Sequence, residues 1–166
     1  MSEPRAAPSF GTVYQFGYVT NDLDRALEVF RTRHGVPAFK DFGDTTLKRD
    51  EGGETRIRFA LCFVGSTQLE IIEPRGGKDS LYSDVLPSSG FGLVWHHIAF
   101  KVPSLDVLEK MKSNVIAAGH SIALSGGDPS IAKFFYVDSR HSLGHYIEHL
   151  YLSPEREAFH ASLPRH

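Results

Sequence analysis

The sequence predicts an α+β protein made of two tandem βαβββ modules. Two observations predict it. Val19-Thr-Asn-Asp-Leu-Asp24 can be laid over Lys101-Val-Pro-Ser-Leu-Asp106 at an offset of 82 residues, and Gln68-Leu-Glu-Ile-Ile72 over Tyr146-Ile-Glu-His-Leu150 at an offset of 78. The same order of signals, strand, helix and three strands, also recurs on either side of a connection rich in Gly, Ser and Pro.

The first strand is expected over 13–20, where β-branched and aromatic residues surround Gln15. Asn21 or Asp22 can cap the helix that follows, in which Leu23, Ala26, Leu27 and Phe30 recur at helical spacing. Gly35 stops that helix, with Pro37 just beyond. A short strand over 38–42 comes next, then strands over 56–64 and 68–72. Glu51-Gly-Gly-Glu54 and Gly65-Ser-Thr67 supply the turns. Residues 75–93 form a linker or lid, with one or two helical turns over 80–86. The second module repeats the order. A strand over 95–102 leads to Ser104, which caps a helix carrying Leu105, Val107, Leu108, Met111 and Val115 and ending at Gly119. Strands over 121–124, 133–137 and 145–150 follow. Ser153 and Pro154 open a terminal helix over 153–162. The expected limits are a flexible arm over 1–10, modules over 11–74 and 94–152, and a C-terminal helix or tail over 153–166.

Hydrophobic content of 41% and charged content of 23% are ordinary for a soluble globular chain. A net charge of -2 gives no pull toward nucleic acid or anionic membrane, and neither is expected as a partner. No run approaches the roughly 18 apolar residues that a membrane span needs. The N-terminus carries no apolar signal core, so a cytoplasmic location is expected. The single Cys62 lies in an apolar run and is expected to be a buried free thiol. Of nine histidines most stand singly, and His34 and His166 have the setting of surface residues.

The chemistry lies in what the overlay pairs. The offset of 82 matches Gln15 with His97, and the offset of 78 matches Glu70 with Glu148. Side chains alternate along a strand, so His97, Ala99 and Lys101 share one face, and Tyr146, Glu148 and Leu150 share another. Buried carboxylates are costly unless paired or bound to a cation, and no Lys or Arg repeats with these two. A divalent metal held by Gln15, Glu70, His97 and Glu148 satisfies all four groups. Three oxygens and one imidazole suit Zn, Ni, Co, Mn or Mg.

These residues resemble the vicinal oxygen chelate superfamily, nearest in pattern to glyoxalase I and methylmalonyl-CoA epimerase. The resemblance rests on Gln15-x-Gly17-Tyr-Val-x-x-Asp22-Leu-Asp24, Leu69-Glu70-Ile-Ile-Glu73-Pro74, His97-Ile-Ala-Phe-x-Val102 and Gly144-His-Tyr-Ile-Glu148, and spans residues 13–151. It implies curled mixed sheets around a metal-centred cavity, with Gln15, Glu70, His97 and Glu148 as ligands. It also implies a metal-dependent lyase or isomerase that abstracts a proton beside a carbonyl or hydroxycarbonyl of a small molecule, with Glu148 as the catalytic base. Tyr146, Arg140 and His141 are the candidate substrate contacts. Two other readings remain: a small-molecule binding or resistance protein without catalysis, and a ring-cleaving dioxygenase. Gln15 in place of a histidine argues against the dioxygenase. Val29-Phe30 and the long turn Asp138-Ser-Arg-His-Ser-Leu-Gly144 depart from the glyoxalase pattern. A homodimer is expected, because a partner can cover exposed sheet edges.

Overall fold

The computed structural model describes residues 10–166, so the expected N-terminal arm, apart from Phe10, lies outside the described residues. The first module comprises β1 (Thr12–Thr20), α1 (Leu23–Arg33), β2 (Lys40–Lys48), β3 (Glu54–Val64) and β4 (Thr67–Gly77). A one-turn helix, α2 (Ser80–Ser83), lies in the connection. The second module comprises β5 (Leu93–Lys101), α3 (Leu105–Ala117), β6 (Ile122–Asp128), β7 (Ala132–Val137), α4 (Arg140–Leu143) and β8 (Tyr146–Leu152), and α5 (Pro154–His160) follows.

All eight strands form one sheet in the order β2-β3-β4-β1-β5-β8-β7-β6. Each module supplies four consecutive strands, and the two meet at the antiparallel ladder of β1 with β5. On either side of this seam the pairing is parallel, β1 with β4 and β5 with β8. The sheet curls until its far edges touch. Arg49 bridges Gly126, and the Asp50 N–H donates to the Ser125 carbonyl at 2.9 Å.

The helices cover the outer face. Asp22 caps α1 by accepting from the Arg25 N–H, and Leu23, Ala26 and Phe30 bury against Ala60, Cys62 and Ile71. Ser104 caps α3, whose Leu108 and Val115 pack on Phe100, Phe135 and Ile147. Both helices end before a left-handed glycine, Gly35 and Gly119, where a residue without Cβ is favoured. Cys62 is buried and free, as expected, and burial pushes its thiol up to about 12. The inner face carries its own apolar cluster, including Ile57, Phe59, Ile72, Phe134 and Leu150.

Three strands run longer than their sequence signals. β2 continues to Lys48 past an irregularity between Asp41 and Asp44, with Gly43 at φ +68. Beyond it Thr45 pairs with Ile57 and Leu47 with Thr55. β4 continues through Pro74, so the expected module limit at residue 74 falls inside it. Its ladder with β1 ends at Ile72, leaving Pro74 a neighbour on one side only, the setting in which a strand tolerates proline. β6 runs on through Ser125-Gly-Gly-Asp128. A Cβ on Gly126 would lie 2.4 Å from the Lys48 carbonyl oxygen, so the glycine permits the edges to close rather than marking a loop. The one-turn α4, capped by Gly144 at φ +81, has no counterpart among the expected elements. The C-terminal residues 153–166 dock on the first module, where the Phe63 N–H donates to the Pro164 carbonyl at 2.8 Å. No helix among the described residues is long and apolar enough to cross a membrane.

Candidate metal centre

The central strands β4, β1, β5 and β8 bring the four repeat-paired residues together. Gly17 on β1 is opposite Glu70 on one side and His97 on the other. Ala99 on β5 is opposite Glu148. Glu70 and Glu148 therefore sit one strand out from the seam on either side, and Gln15 and His97 sit on the seam strands. The Glu70, His97 and Glu148 donor atoms lie within 4.8 Å of one another. His97 Nε2 is 3.3 Å from Gln15 Oε1, 3.3 Å from Glu148 Oε2 and 3.4 Å from Glu70 Oε2. Gln15 is held in this orientation by donating its Nε2 to Gln68 Oε1 at 2.7 Å.

Gly17 explains how a bulky imidazole fits here. A Cβ at this position would lie 1.8 Å from His97 Cε1. The His97 ring fills the space that a side chain would occupy.

A second histidine fixes the tautomer of the first. His96 Nε2 lies 3.0 Å from the Leu81 carbonyl, which can only accept, so that nitrogen carries a proton. Burial and the neighbouring His97 charge lower His96 to about 3, so it is neutral and its Nδ1 accepts. His97 Nδ1, 2.9 Å away, therefore donates to it. In neutral His97 this leaves the Nε2 lone pair facing the three oxygens, as a metal ligand requires.

The set fits a divalent cation. Three oxygens crowd one imidazole nitrogen that can offer a single N–H. Glu148 Oε2 is buried and has no hydrogen-bond partner among the described residues, a costly state for a carboxylate. Burial alone would depress His97, but the adjacent Glu148 and Glu70 carboxylates overrule it and raise the group to about 9. Burial raises Glu148 above the ordinary carboxylate range, against the opposing pull of His97.

The site opens on a cavity of about 290 Å³ inside the curled sheet. Gln15, Glu70 and Glu148 lie on its wall beside Ile57, Phe59 and Phe134. Tyr146, Arg140 and His141 do not line it. Tyr146 packs on the His96 ring at 4.7 Å, and Arg140 lies over Tyr146 at 4.6 Å and pairs with Asp138 at 2.7 Å. His141 is exposed on α4. The face shared by Tyr146 and Glu148 carries the phenol to the wrong end of the site, into the histidine pair.

Sequence reasoning missed four contributors. Strict alternation puts His96 on the face opposite His97. The β1–β5 ladder instead shifts register between Gly17 and Tyr18, which face His97 and Trp95 and leave His96 as an extra residue. Such a bulge breaks alternation and lets adjacent side chains meet. Gln68 was visible only as a strand residue. Arg156 and His160 come from α5, whose docking into the cavity has no local sequence signal.

A curled sheet of paired βαβββ modules, with two potential ligands from each module around one cavity, defines an α+β fold with a candidate metal centre. The chain belongs to the Glyoxalase/Bleomycin resistance protein/Dioxygenase superfamily, whose family model matches residues 14–127. Among solved structures, methylmalonyl-CoA epimerase from Mycobacterium tuberculosis is similar, at 21% identity over 88% of this chain and 91% of that one, with a TM-score of 0.59. A single-residue variant of Streptomyces coelicolor methylmalonyl-CoA epimerase, in complex with 2-nitronate-propionyl-CoA, shares 20% identity over 87% of this chain and 96% of its own, with a TM-score of 0.59. A methylmalonyl-CoA epimerase in complex with methylmalonyl-CoA and NH4+ shares 21% identity over 87% and 99% respectively, with a TM-score of 0.57. Likeness at this identity establishes the fold. No curated protein matches the sequence.

Proposed function

We propose that the protein is a metal-dependent isomerase or lyase that moves a proton on a carbon beside a carbonyl of a small molecule. The convergence of Gln15, Glu70 and Glu148 oxygens on His97 Nε2, at the wall of one cavity, carries this reading. All four residues belong to one chain, so the site needs no second copy to be complete. The similarity to epimerases supports the isomerase branch.

Gln15, Glu70, His97 and Glu148 would hold the cation. A bound divalent cation supplies a Lewis acid that favours enolate-like charge on a carbonyl oxygen. Glu148 takes the proton from carbon. The C–H electron pair passes toward the carbonyl, and the carboxylic acid formed on Glu148 returns the proton to that carbon or its neighbour. Burial raises Glu148 above the ordinary carboxylate range, which makes it a stronger base toward carbon than a solvated carboxylate. Homodimerisation belongs to the same proposal, and light scattering of the purified protein tests it.

Purified protein should contain one equivalent of a divalent metal, lost in Glu70→Ala and in Glu148→Ala. With methylmalonyl-CoA or the hemithioacetal of methylglyoxal and glutathione in deuterated water, the wild type should exchange the acidic C–H and Glu148→Gln should not. A protein that binds no metal, or a Glu148→Gln variant that exchanges at the wild-type rate, overturns the reading.

A further inference from the structure

The cavity has a second polar end that the four converging ligands do not use. It is formed by α5, which carries Arg156 and His160 to the wall. His160 is engaged there, its Nδ1 lying 3.0 Å from the Tyr14 hydroxyl and 3.2 Å from Gln68 Nε2. Arg156 is half-buried, and its guanidinium has no carboxylate within ion-pair distance and no hydrogen-bond acceptor among the described residues. It is held instead by aromatic faces, 4.9 Å from the Phe42 ring centre and 5.2 Å from that of Phe159.

The other partly buried cations are compensated. Arg58 clamps Asp24 at 2.8 Å and Asp41 at 2.6 Å, and Lys133 pairs with Asp50. Lys48, which also lines the cavity, is exposed and lies in the field of Asp128. Arg156 alone among the described cavity cations is both stacked in place and left with its donors free.

We propose that Arg156 is the anion-recognising residue of this cavity, and that the molecule taken in is a small apolar-bodied acid whose carboxylate meets Arg156 while its reacting carbon meets Glu148. The proposal rests on the functional reading above and names its substrate class. Charge supports it. The Glu70 and Glu148 carboxylates neutralise a divalent cation, which leaves Arg156 as an uncompensated positive charge facing the same space. Geometry supports it too, because stacked arginine presents a pre-set fork that matches a carboxylate with two parallel hydrogen bonds. The remaining wall, with Ile57, Phe59, Phe134 and Leu150, suits an apolar body, and about 290 Å³ confines the enclosed part to a small one.

Matched acid and amide pairs test this by calorimetry: 3-phenylpropanoate against 3-phenylpropanamide, and 4-methylpentanoate against 4-methylpentanamide. Each is titrated into metal-free and zinc-loaded full-length protein. A carboxylate held by arginine should favour the acid by roughly tenfold to a hundredfold in the zinc-loaded protein, and by less without zinc, where the Glu70 charge acts on Arg156. Arg156→Gln should erase the preference without changing zinc stoichiometry, and Arg156→Lys should keep part of it. The Lys variant keeps the test open where Gln fails to fold. A preference that survives in Arg156→Gln, or the absence of any preference for the acids in the zinc-loaded protein, overturns the proposal. Zinc binding without acid preference refutes the Arg156 role alone. Acid preference without zinc binding refutes the metal-dependent reading alone.

Discussion

Replacing Gly17 with alanine tests the metal centre through one methyl group. The added Cβ would lie 1.8 Å from His97 Cε1, 2.2 Å from Nε2 and 2.3 Å from Nδ1. Carbon atoms pack at about 3.5–4.0 Å, so the imidazole must retreat by more than about 1.5 Å. Metal–ligand distances hold to within about 0.2 Å, so a shift of that size removes His97 from any ligand set. Gly17 has no left-handed backbone angle, and strain from the main chain does not enter. His97 is fully buried, and forcing such a ring aside costs about 1–3 kcal/mol of stability. The assay is cobalt titration together with urea unfolding of the metal-free protein. Gly17→Ala should lose cobalt affinity by at least about a hundredfold and unfold at lower urea. Gly17→Ala with His97→Ala should recover stability relative to the sum of the two single variants, because the clash is gone, while binding stays lost. Gly11→Ala, whose Cβ would find nothing closer than 3.6 Å, is the control. Wild-type cobalt affinity in Gly17→Ala refutes the placement of His97.

Other outcomes follow from buried histidines. His149 lies between Phe100 and Phe135 with both ring nitrogens unpartnered among the described residues, and burial lowers it to about 4. His149→Phe removes two unsatisfied polar atoms and should raise stability by about 1–2 kcal/mol in urea unfolding; a loss of stability would show that the ring has a partner. Above about pH 7.5 the metal-free protein should lose stability as pH rises. His97 is raised from 6.5 to about 9, so its contribution is complete below 6.5 and disappears through 9; the raised Glu148 acts with the same sign. Urea midpoints measured from about pH 7.5 to about pH 9.5, above the range in which the depressed His96, His149 and His160 act with the opposite sign, check this, and a midpoint that climbs over that range contradicts it. Cobalt uptake below pH 9 should release a proton, visible as a calorimetric heat that depends on the buffer's ionisation enthalpy.

The convergence of Gln15, Glu70 and Glu148 on His97 was legible in the sequence because ladder pairing carries register faithfully. A repeat offset that matches Gln15 with His97 and Glu70 with Glu148 becomes a spatial match once β1 and β5 form the seam and β4 and β8 flank it. Element order was legible for the same reason, and caps at Asp22, Ser104 and Ser153 fell where their side chains allow. What stayed hidden depends on contacts between distant segments. His96 joins the site through a bulge, and alternation carries no sign of an inserted residue. Gly43 and Gly126 imitate loop signals because their missing side chains serve an irregularity and an edge closure. Arg156 reaches the cavity because the chain returns after β8 to pair near Phe63, while Arg140, equally far from Glu148 in sequence, and His141 do not line it.

The antiparallel seam of β1 and β5 behaves like the spine of a book. Gln15 and Glu70 travel with one cover, His97 and Glu148 with the other. The covers are also tied at their outer rim, where Asp50 meets Lys112, Lys133 and Ser125. Under the proposed function, a cation shared by these four residues would be a clasp near the spine. Parting the covers would tear its ligands away in pairs, so metal occupancy and cohesion of the two halves would rise and fall together.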